Sequence, residues 1–236
     1  MKHIALFIFF FLSATFSFAQ ISAQEYYKSA LINDSLKDYK AALLDLDNAL
    51  LSKPDYDSAL CLQGIISFKS GENKLAIKQL SQAVKLNPTY FEPIYARGIA
   101  KAQLKDYIGA IKDFNKAISL KPNSAKVYYN RALAKGYIGD YTSAISDLDK
   151  AIGLDANYLN AYYSRAFWKD ISGDYEGAVT DYKKVIEMDS SYREAYIGLA
   201  TMMYLHGDKT QSCEVLKNAA EKGSIMAEEL TNKLCN

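Results

Sequence analysis

The sequence predicts an all-α fold, a solenoid of six helical hairpins, because three columns of residues recur every 34 positions. The first column is small: Ala49, Ala83, Ala117, Ala151, Val185 and Ala219. The second, seven residues upstream, is also small: Ala42, Ala76, Ala110, Ala144, Ala178 and Ser212. The third, between them, is large and apolar: Leu46, Leu80, Phe114, Leu148, Tyr182 and Leu216. The i, i+4, i+7 spacing is that of one helix face, so this part of each repeat is a helix and not a strand.

Each repeat has another helix upstream of this one. That upstream helix carries its own column of small residues, which allows two helices to approach closely: Ala30, Gly64, Gly98, Ala132, Ala166 and Ala200. The turn within each hairpin carries an acidic residue, as in Gly139-Asp140-Tyr141. Glycine there readily adopts the left-handed backbone conformation that ends a helix, and the acidic charge interacts favourably with the positive N-terminal end of the next helix dipole. Pro54, Pro88 and Pro122 fall in the turns between repeats, where a helix cannot continue.

These features resemble the tetratricopeptide repeat, most clearly over 91–124, where Gly98, Ala110, Phe114, Ala117 and Pro122 are all in register. In that phase, residues 20–226 contain six repeats: 23–56, 57–90, 91–124, 125–158, 159–192 and 193–226. Residues 224–236 are expected to form a C-terminal capping helix. The resemblance implies a right-handed α-solenoid in which the first helix of each repeat, helix A, lines an inner groove.

Residues 1–19 have the pattern of a signal peptide: a basic start, an unbroken apolar run over 4–12 and a small-x-small ending at Ala19. An uncleaved membrane anchor is the alternative, but the apolar stretch is shorter than the roughly 20 residues that a span needs. We therefore expect cleavage after Ala19 and no integral membrane span in the mature chain. The expected location is the bacterial periplasm or the exterior.

Composition narrows the functional classes. The net charge of +1 gives no reason to expect a nucleic-acid partner, which requires a basic face. The sequence has no low-complexity tract or long linker, which favours one continuous solenoid over separate domains.

The three cysteines suggest one disulfide bond. In an oxidising compartment Cys213 and Cys235 are candidates to bridge, because a capping helix that folds back would bring its end to the start of the last repeat helix. The alternative is two unpaired thiols. The bridge would close a loop of 22 residues and contribute about 3 kcal/mol.

Charged residues also recur with the period. The basic members are Arg97, Arg131 and Arg165, each followed four residues later by Lys101, Lys135 or Lys169, and the acidic members are Asp113, Asp147 and Asp181. One interpretation is a ladder of structural ion pairs within the hairpins, and the other is an anion-binding stripe. The ladder is favoured because the acidic column would neutralise the basic one.

The resemblance places one helix A column on the inner groove: Tyr27, Cys61, Tyr95, Tyr129, Tyr163 and Ile197. The tyrosines are expected to face solvent and hold a partner, since tyrosine offers a rigid ring and a hydroxyl. The column one turn on, Leu31, Ile65, Ile99, Leu133, Phe167 and Thr201, is expected to pack between adjacent A helices. Chaperone-tail receptors of the family grip a carboxylate with Lys, Asn and Arg, but only Lys126 and Asn130 match that clamp here.

Catalysis is not expected. The only histidines are His3 and His206, so no histidine pair for a metal and no Ser-His-Asp set can form, and no phosphate loop or cofactor fingerprint is present. We predict a non-enzymatic scaffold, without cofactor or metal, that binds a peptide or helix of another protein in the groove. The alternative is a structural or assembly subunit of an envelope complex that uses the convex face or the solenoid ends. The sequence predicts neither the partner nor the oligomeric state.

Overall fold

The computed structural model describes residues 21–235 and divides them between two units, within Met1–Tyr56 and Asp57–Asn236. The predicted signal peptide at 1–19 lies outside the described residues. All regular structure in the described range is α-helical, which confirms the predicted fold class. The first unit is a single hairpin of α1 (Ala23–Ser35) and α2 (Tyr39–Ser52).

The second unit contains five more hairpins and a final single helix. Its helices are α3 (Asp57–Lys69), α4 (Asn73–Leu86), α5 (Phe91–Gln103), α6 (Tyr107–Leu120), α7 (Ala125–Tyr137), α8 (Tyr141–Leu154), α9 (Leu159–Ser172), α10 (Tyr175–Met188), α11 (Arg193–Leu205), α12 (Lys209–Glu221) and α13 (Ile225–Leu234). Each helix from α4 to α13 packs against the one before it, so the unit grows by stacking neighbours in sequence.

The turn chemistry explains why every hairpin bends at the same place. Asp38, Asp106, Asp140, Asp174 and Asp208 cap the second helices by accepting a hydrogen bond from the backbone N–H three residues on. Glu72 occupies the same position but makes no such bond. The residue before each cap has a positive φ, as in Gly139 at 85°, although Lys37 and Lys105 adopt this conformation without being glycine.

The repeated small and large residues form the core. Every member of the two alanine-rich columns is fully buried, and the large column between them is at most 2% exposed. Gly98 is required by this packing, since a Cβ there would lie 2.6 Å from the ring of Phe114. The hydrophobic columns therefore explain the packing of each hairpin.

Candidate functional site

The A helices of the second unit form its inner side. Successive A helices touch one another directly, α3 with α5, α5 with α7, α7 with α9 and α9 with α11. Contacts of this extent are not made between successive second helices of the same unit. Stacked elements approach most closely on the shorter side of a curve, so the groove formed by α5, α7, α9 and α11 is the inner groove.

The predicted tyrosines lie half-buried at equivalent positions of this groove. The ring of Tyr129 packs 5.0 Å from that of Tyr158, and the ring of Tyr163 packs 5.2 Å from that of Tyr192. The hydroxyl of Tyr95 accepts a hydrogen bond from Asn130. Tyr27 belongs to the first unit, where its ring lies 5.2 Å from that of Tyr56.

The exposure of the two A-helix columns differs from the sequence expectation. Leu31 and Phe167, both expected to pack between helices, are 43% and 40% exposed. The tyrosine rings are covered instead by the aromatic residues that precede the next A helix. Cys61 was expected on the groove, but it is 2% exposed, and burial raises the pKa of its thiol to about 12.

A cavity of about 470 Å³ opens on the inner groove between α7 and α9. Its walls include six aromatic side chains: Tyr129, Tyr137, Tyr163, Phe167, Trp168 and Tyr192. Leu133, Asn160 and Ser164 complete the lining. The volume lies in the range of small-ligand and side-chain sites, and no ionisable acid or base of the Asp, Glu, Lys or Arg type contributes to the walls.

Trp168 anchors one wall of the cavity. The indole is 5% exposed, stacks 5.5 Å from Tyr141 and lies 4.8 Å from Phe167. A Cβ at Gly136 would overlap the indole, which explains the glycine. The indole Nε1–H has no hydrogen-bond acceptor among residues 21–235, and leaving such a buried donor unpaired costs about 1–3 kcal/mol of folding stability. Burial of an aromatic side chain of this size contributes about 4–6 kcal/mol, so burial of the ring remains favourable.

A second cavity, of about 310 Å³, lies between α5 and α7. It shares Leu133 and Tyr137 with the first, so Tyr137, which is 62% exposed, separates two adjoining sites. Asn130 lines this second cavity, and its amide donates both to the Tyr95 hydroxyl and to the backbone carbonyl of Lys126, each at 2.8 Å. These two bonds occupy the donors that a carboxylate clamp would need.

Three groove tyrosines have a raised pKa. Burial raises the pKa of Tyr163, and the nearby Glu194 carboxylate raises it further. Burial also raises the pKa of Tyr192 and of Tyr95, although the hydrogen bond from Asn130 acts in the opposite direction on Tyr95. The larger cavity therefore offers protonated phenol hydroxyls and aromatic faces, with no charged residue in its walls.

The structure brings the charged columns together inside each hairpin. Arg131 donates two hydrogen bonds to Asp147, from Nε at 2.8 Å and from Nη2 at 2.6 Å, and Lys135 approaches the same carboxylate at 2.8 Å. The hairpins of α5 and α9 repeat this arrangement with Arg97, Lys101 and Asp113 and with Arg165, Lys169 and Asp181.

The remaining guanidinium nitrogen of each arginine reaches back to the second helix of the preceding hairpin. The acceptors are Ser81 at 3.2 Å for Arg97, Asn115 at 2.7 Å for Arg131 and Asp149 at 2.6 Å for Arg165. These three acceptors are also 34 residues apart, although the sequence analysis did not identify them. Each arginine thus links three helices and leaves no free anion site.

Cys213 and Cys235 are joined in the structure as a disulfide bond. It connects the first turns of α12 to the residue that follows α13. Ser224 caps α13 by accepting a hydrogen bond from the Ala227 N–H, and Ala227 is fully buried against the last hairpin.

Three structural features bear on other functional classes. Among residues 21–235, no cluster of three or more His, Cys, Asp or Glu side chains has an arrangement suited to a metal ion. Within the same range, no helix combines the length and the apolar character needed to cross a membrane. His206 stacks on Tyr175 at 4.0 Å and lies on an exposed turn.

The sequence analysis missed several groove residues. Tyr158 and Tyr192, which cover the rings of Tyr129 and Tyr163, occupy the last position of their repeats; Tyr56 and Tyr90 share this column, which Ser124 interrupts. Their 34-residue spacing was a usable signal. Tyr137, Asn160 and Trp168 occur at positions that no other repeat fills with the same residue type, so periodicity could not identify them.

The repeat geometry agrees with known sequence families. A family model described as tetratricopeptide repeat matches residues 57–90, 125–158 and 159–192, and a second, described as TPR repeat, matches 100–136. No curated protein matches the chain in sequence.

Solved structures give the same fold. The structure of MamA superposes with a TM-score of 0.67 at 25% identity, over 70% of this chain and 91% of that one. A tetratricopeptide repeat protein from Parabacteroides merdae ATCC 43184 gives 0.70 at 17% identity, over 91% and 99% of the two chains. YrrB, described as a TPR protein with an unusual peptide-binding site, gives 0.68 at 16% identity, over 80% and 98%.

Proposed function

Because the chain belongs to the tetratricopeptide repeat family, we propose that it is a non-enzymatic scaffold that binds a peptide segment or a helix of a partner protein in the inner groove. The observation that carries the proposal is the aromatic cavity between α7 and α9. Proteins of this fold generally mediate protein–protein interactions, and the peptide-binding site described for YrrB is consistent with the same use here.

The groove has the physical properties of a protein-binding surface. Its tyrosines are held by ring contacts on one side and present the other side to the groove, so a partner would bury aromatic area at a small entropic cost. Phe167 and Tyr137 add exposed rings at 40% and 62%. Hot spots of protein interfaces are enriched in such residues.

A grip on a terminal carboxylate is not part of the proposal. That recognition needs several converging cations and amides, whereas here the Asn130 donors are already engaged by Tyr95 and by the Lys126 carbonyl. The exposed Lys126 ammonium offers one weak surface charge, and among residues 21–235 Lys105 is the single cation in the walls of the α5/α7 cavity. We therefore propose recognition through aromatic contacts and neutral hydrogen bonds.

We also propose that the protein acts after export, with residues 1–19 removed. The support comes from the basic, apolar and small-x-small order of those residues and from a cysteine pair suited to an oxidising compartment. Mass spectrometry of the protein isolated from its native cells tests the proposal. A mature N-terminus at Gln20 is the expected result, and an intact Met1 would contradict it.

Site-directed photo-crosslinking in native cells tests groove binding. A photoreactive amino acid replaces Phe167 in the groove or, as the control, Ile108, which is 56% exposed on α6 and lines neither groove cavity. We expect a defined crosslinked partner from position 167 and none from 108. The Tyr129→Ala, Tyr163→Ala double variant should lose that partner while its helical circular dichroism is retained.

The opposite pattern would reject the groove. If the partner crosslinks from position 108 and survives the double tyrosine substitution, binding uses the convex face, as expected for an assembly subunit of an envelope complex.

A further inference from the structure

Both groove cavities have aromatic residues and hydrogen-bond donors in their walls and no carboxylate; the donors of the larger cavity are neutral, and Lys105 adds a cationic donor to the smaller one. The hydroxyls of Tyr129, Tyr163 and Tyr192 and the exposed amide of Asn160 can donate hydrogen bonds at the larger cavity. No Asp, Glu, Lys or Arg lines the larger cavity, so a charged side chain placed there would lose its hydration without an ion pair to a wall residue. The larger cavity therefore favours an uncharged apolar group accompanied by hydrogen-bond acceptors.

We propose that the partner segment is a proline-rich stretch in the polyproline II conformation, with residues three apart seated in the α5/α7 and α7/α9 cavities. This inference rests on the groove function proposed above and names the chemistry of its partner. Proline rings stack on aromatic side chains, and prolines have no backbone N–H, so their carbonyls need only donors. The tyrosine hydroxyls and Asn160 provide donors of this kind.

The spacing of the cavities favours this conformation. Each cavity lies between a pair of adjacent, touching A helices, and packed helices are about 8–10 Å apart. A polyproline II helix brings an equivalent side chain to the same face every three residues, about 9 Å. The corresponding repeat is about 6.7 Å in a β-strand and about 5.4 Å per turn in an α-helix, which reaches about 10.5 Å only over two turns, so the polyproline II repeat matches the spacing most directly.

The electrostatics of the groove distinguish a peptide from a glycan, which also stacks on aromatic rings. Sugar hydroxyls are donors as well as acceptors and require acceptors from the protein. No carboxylate lines the larger cavity, so its acceptors are the neutral oxygens of the tyrosines, Ser164 and Asn160, which bind hydroxyl donors less strongly than a carboxylate would. The lining matches the acceptor-rich proline backbone better than the mixed surface of a sugar.

Trp168 provides a direct reporter, because it is the single tryptophan of the chain and lies in the cavity wall. Purified protein is titrated with an N-acetylated, C-amidated decaproline, and indole fluorescence is followed. An equally long Gly-Ser peptide serves as the flexible control, and calorimetry gives an independent affinity. We expect a saturable change with decaproline and none with the Gly-Ser peptide.

Two variants localise the binding. Phe167→Ala removes an exposed ring and is expected to weaken decaproline binding about tenfold or more, consistent with the loss of a hot-spot aromatic residue. Tyr137→Ser removes the exposed ring between the cavities and should act in the same direction. Ile108→Ala on α6 should bind as the unchanged protein does.

The possible failures separate the two proposals. If decaproline does not bind, or binds no better than the Gly-Ser peptide, the proline inference is wrong even when the native partner still crosslinks from position 167. Saturable binding of chitotetraose in place of decaproline would assign the cavity to a glycan and overturn the inference. If groove crosslinking and the double tyrosine test both fail, the groove function itself is wrong.

Discussion

The hydrogen bonds of Arg131 allow a quantitative prediction, because this one side chain connects α6, α7 and α8. Its guanidinium donates two bonds to Asp147 and one to Asn115, and the carboxylate side chain is only 7% exposed. Replacement of Arg131 by Met keeps an apolar stem of similar length but removes all three bonds. The Asp147 carboxylate then retains Lys135, at 2.8 Å, as its ionic partner.

The expected loss follows from these contacts. Loss of one partner of a buried ion pair costs about 3–5 kcal/mol when the other charge is left alone. Lys135 compensates part of this cost, and Arg131 is 16% exposed, so we expect a loss of about 2–3 kcal/mol in the free energy of unfolding. For a chain of this length, that corresponds to a decrease in Tm of about 5–10 °C.

Urea denaturation followed by far-UV circular dichroism measures the effect, with the midpoints compared because repeat arrays can depart from two-state unfolding. Lys184→Met is the matched control, since the Lys184–Glu187 pair at 3.1 Å is 40% and 70% exposed and should contribute at most about 0.5 kcal/mol. In an Asp147→Asn background, Arg131→Met should cost less than half as much. An Arg131→Met midpoint equal to that of the control would refute the structural role of the ladder.

Three more predictions follow from the turns, the disulfide bond and the buried phenols. Lys105 has a φ of 63°, which is strained for a residue with a Cβ, so Lys105→Gly should raise the free energy of unfolding, measured by urea denaturation, by about 0.5–1 kcal/mol. Gly139→Ala at the equivalent position should lower it. Thiol titration of the denatured, unreduced protein should find one thiol, and the Cys213→Ser, Cys235→Ser variant should lose about 3 kcal/mol of stability; three thiols would exclude the bridge. Burial raises the pKa of Tyr158 to about 12, so the folded protein holds a proton that the unfolded chain releases near pH 10. Stability should therefore fall as the pH rises from about 10 to 12, less steeply in Tyr158→Phe; equal slopes would contradict this.

The fold could be predicted from the sequence because a repeat must solve one packing problem six times. Ala110 and Ala117 are small because two helices touch there, and Phe114 fills the space that Gly98 leaves open. The same argument found the arginine and aspartate columns, since a buried charge needs its partner in every repeat that contains it.

The groove could be predicted only in part, because its chemistry depends on the departures from the repeat. The period places Tyr129 and Tyr163 on helix A, but it does not say which residues cover their rings. Trp168 has no equivalent in the other repeats, and it creates the cavity wall through a stacking contact with Tyr141 in the adjacent hairpin. A side chain that occurs once and packs across repeats gives no periodic signal.

The ladder and the groove occupy the same helices, so the charged residues also determine how rigid the binding site is. On α7, Arg131 is fixed to α6 and α8, and Tyr129 and Leu133 flank it in the sequence on the groove side. Rotation of α7 about its axis would break the three hydrogen bonds that Arg131 makes, so these bonds restrain the positions of Tyr129 and Leu133 in the groove. A rigid site loses less entropy on binding, which is the condition under which neutral aromatic contacts give useful affinity. Buried ion pairs contribute little more to stability than apolar residues of similar volume would. We infer that they are retained here because they fix the helices that carry the cavity walls.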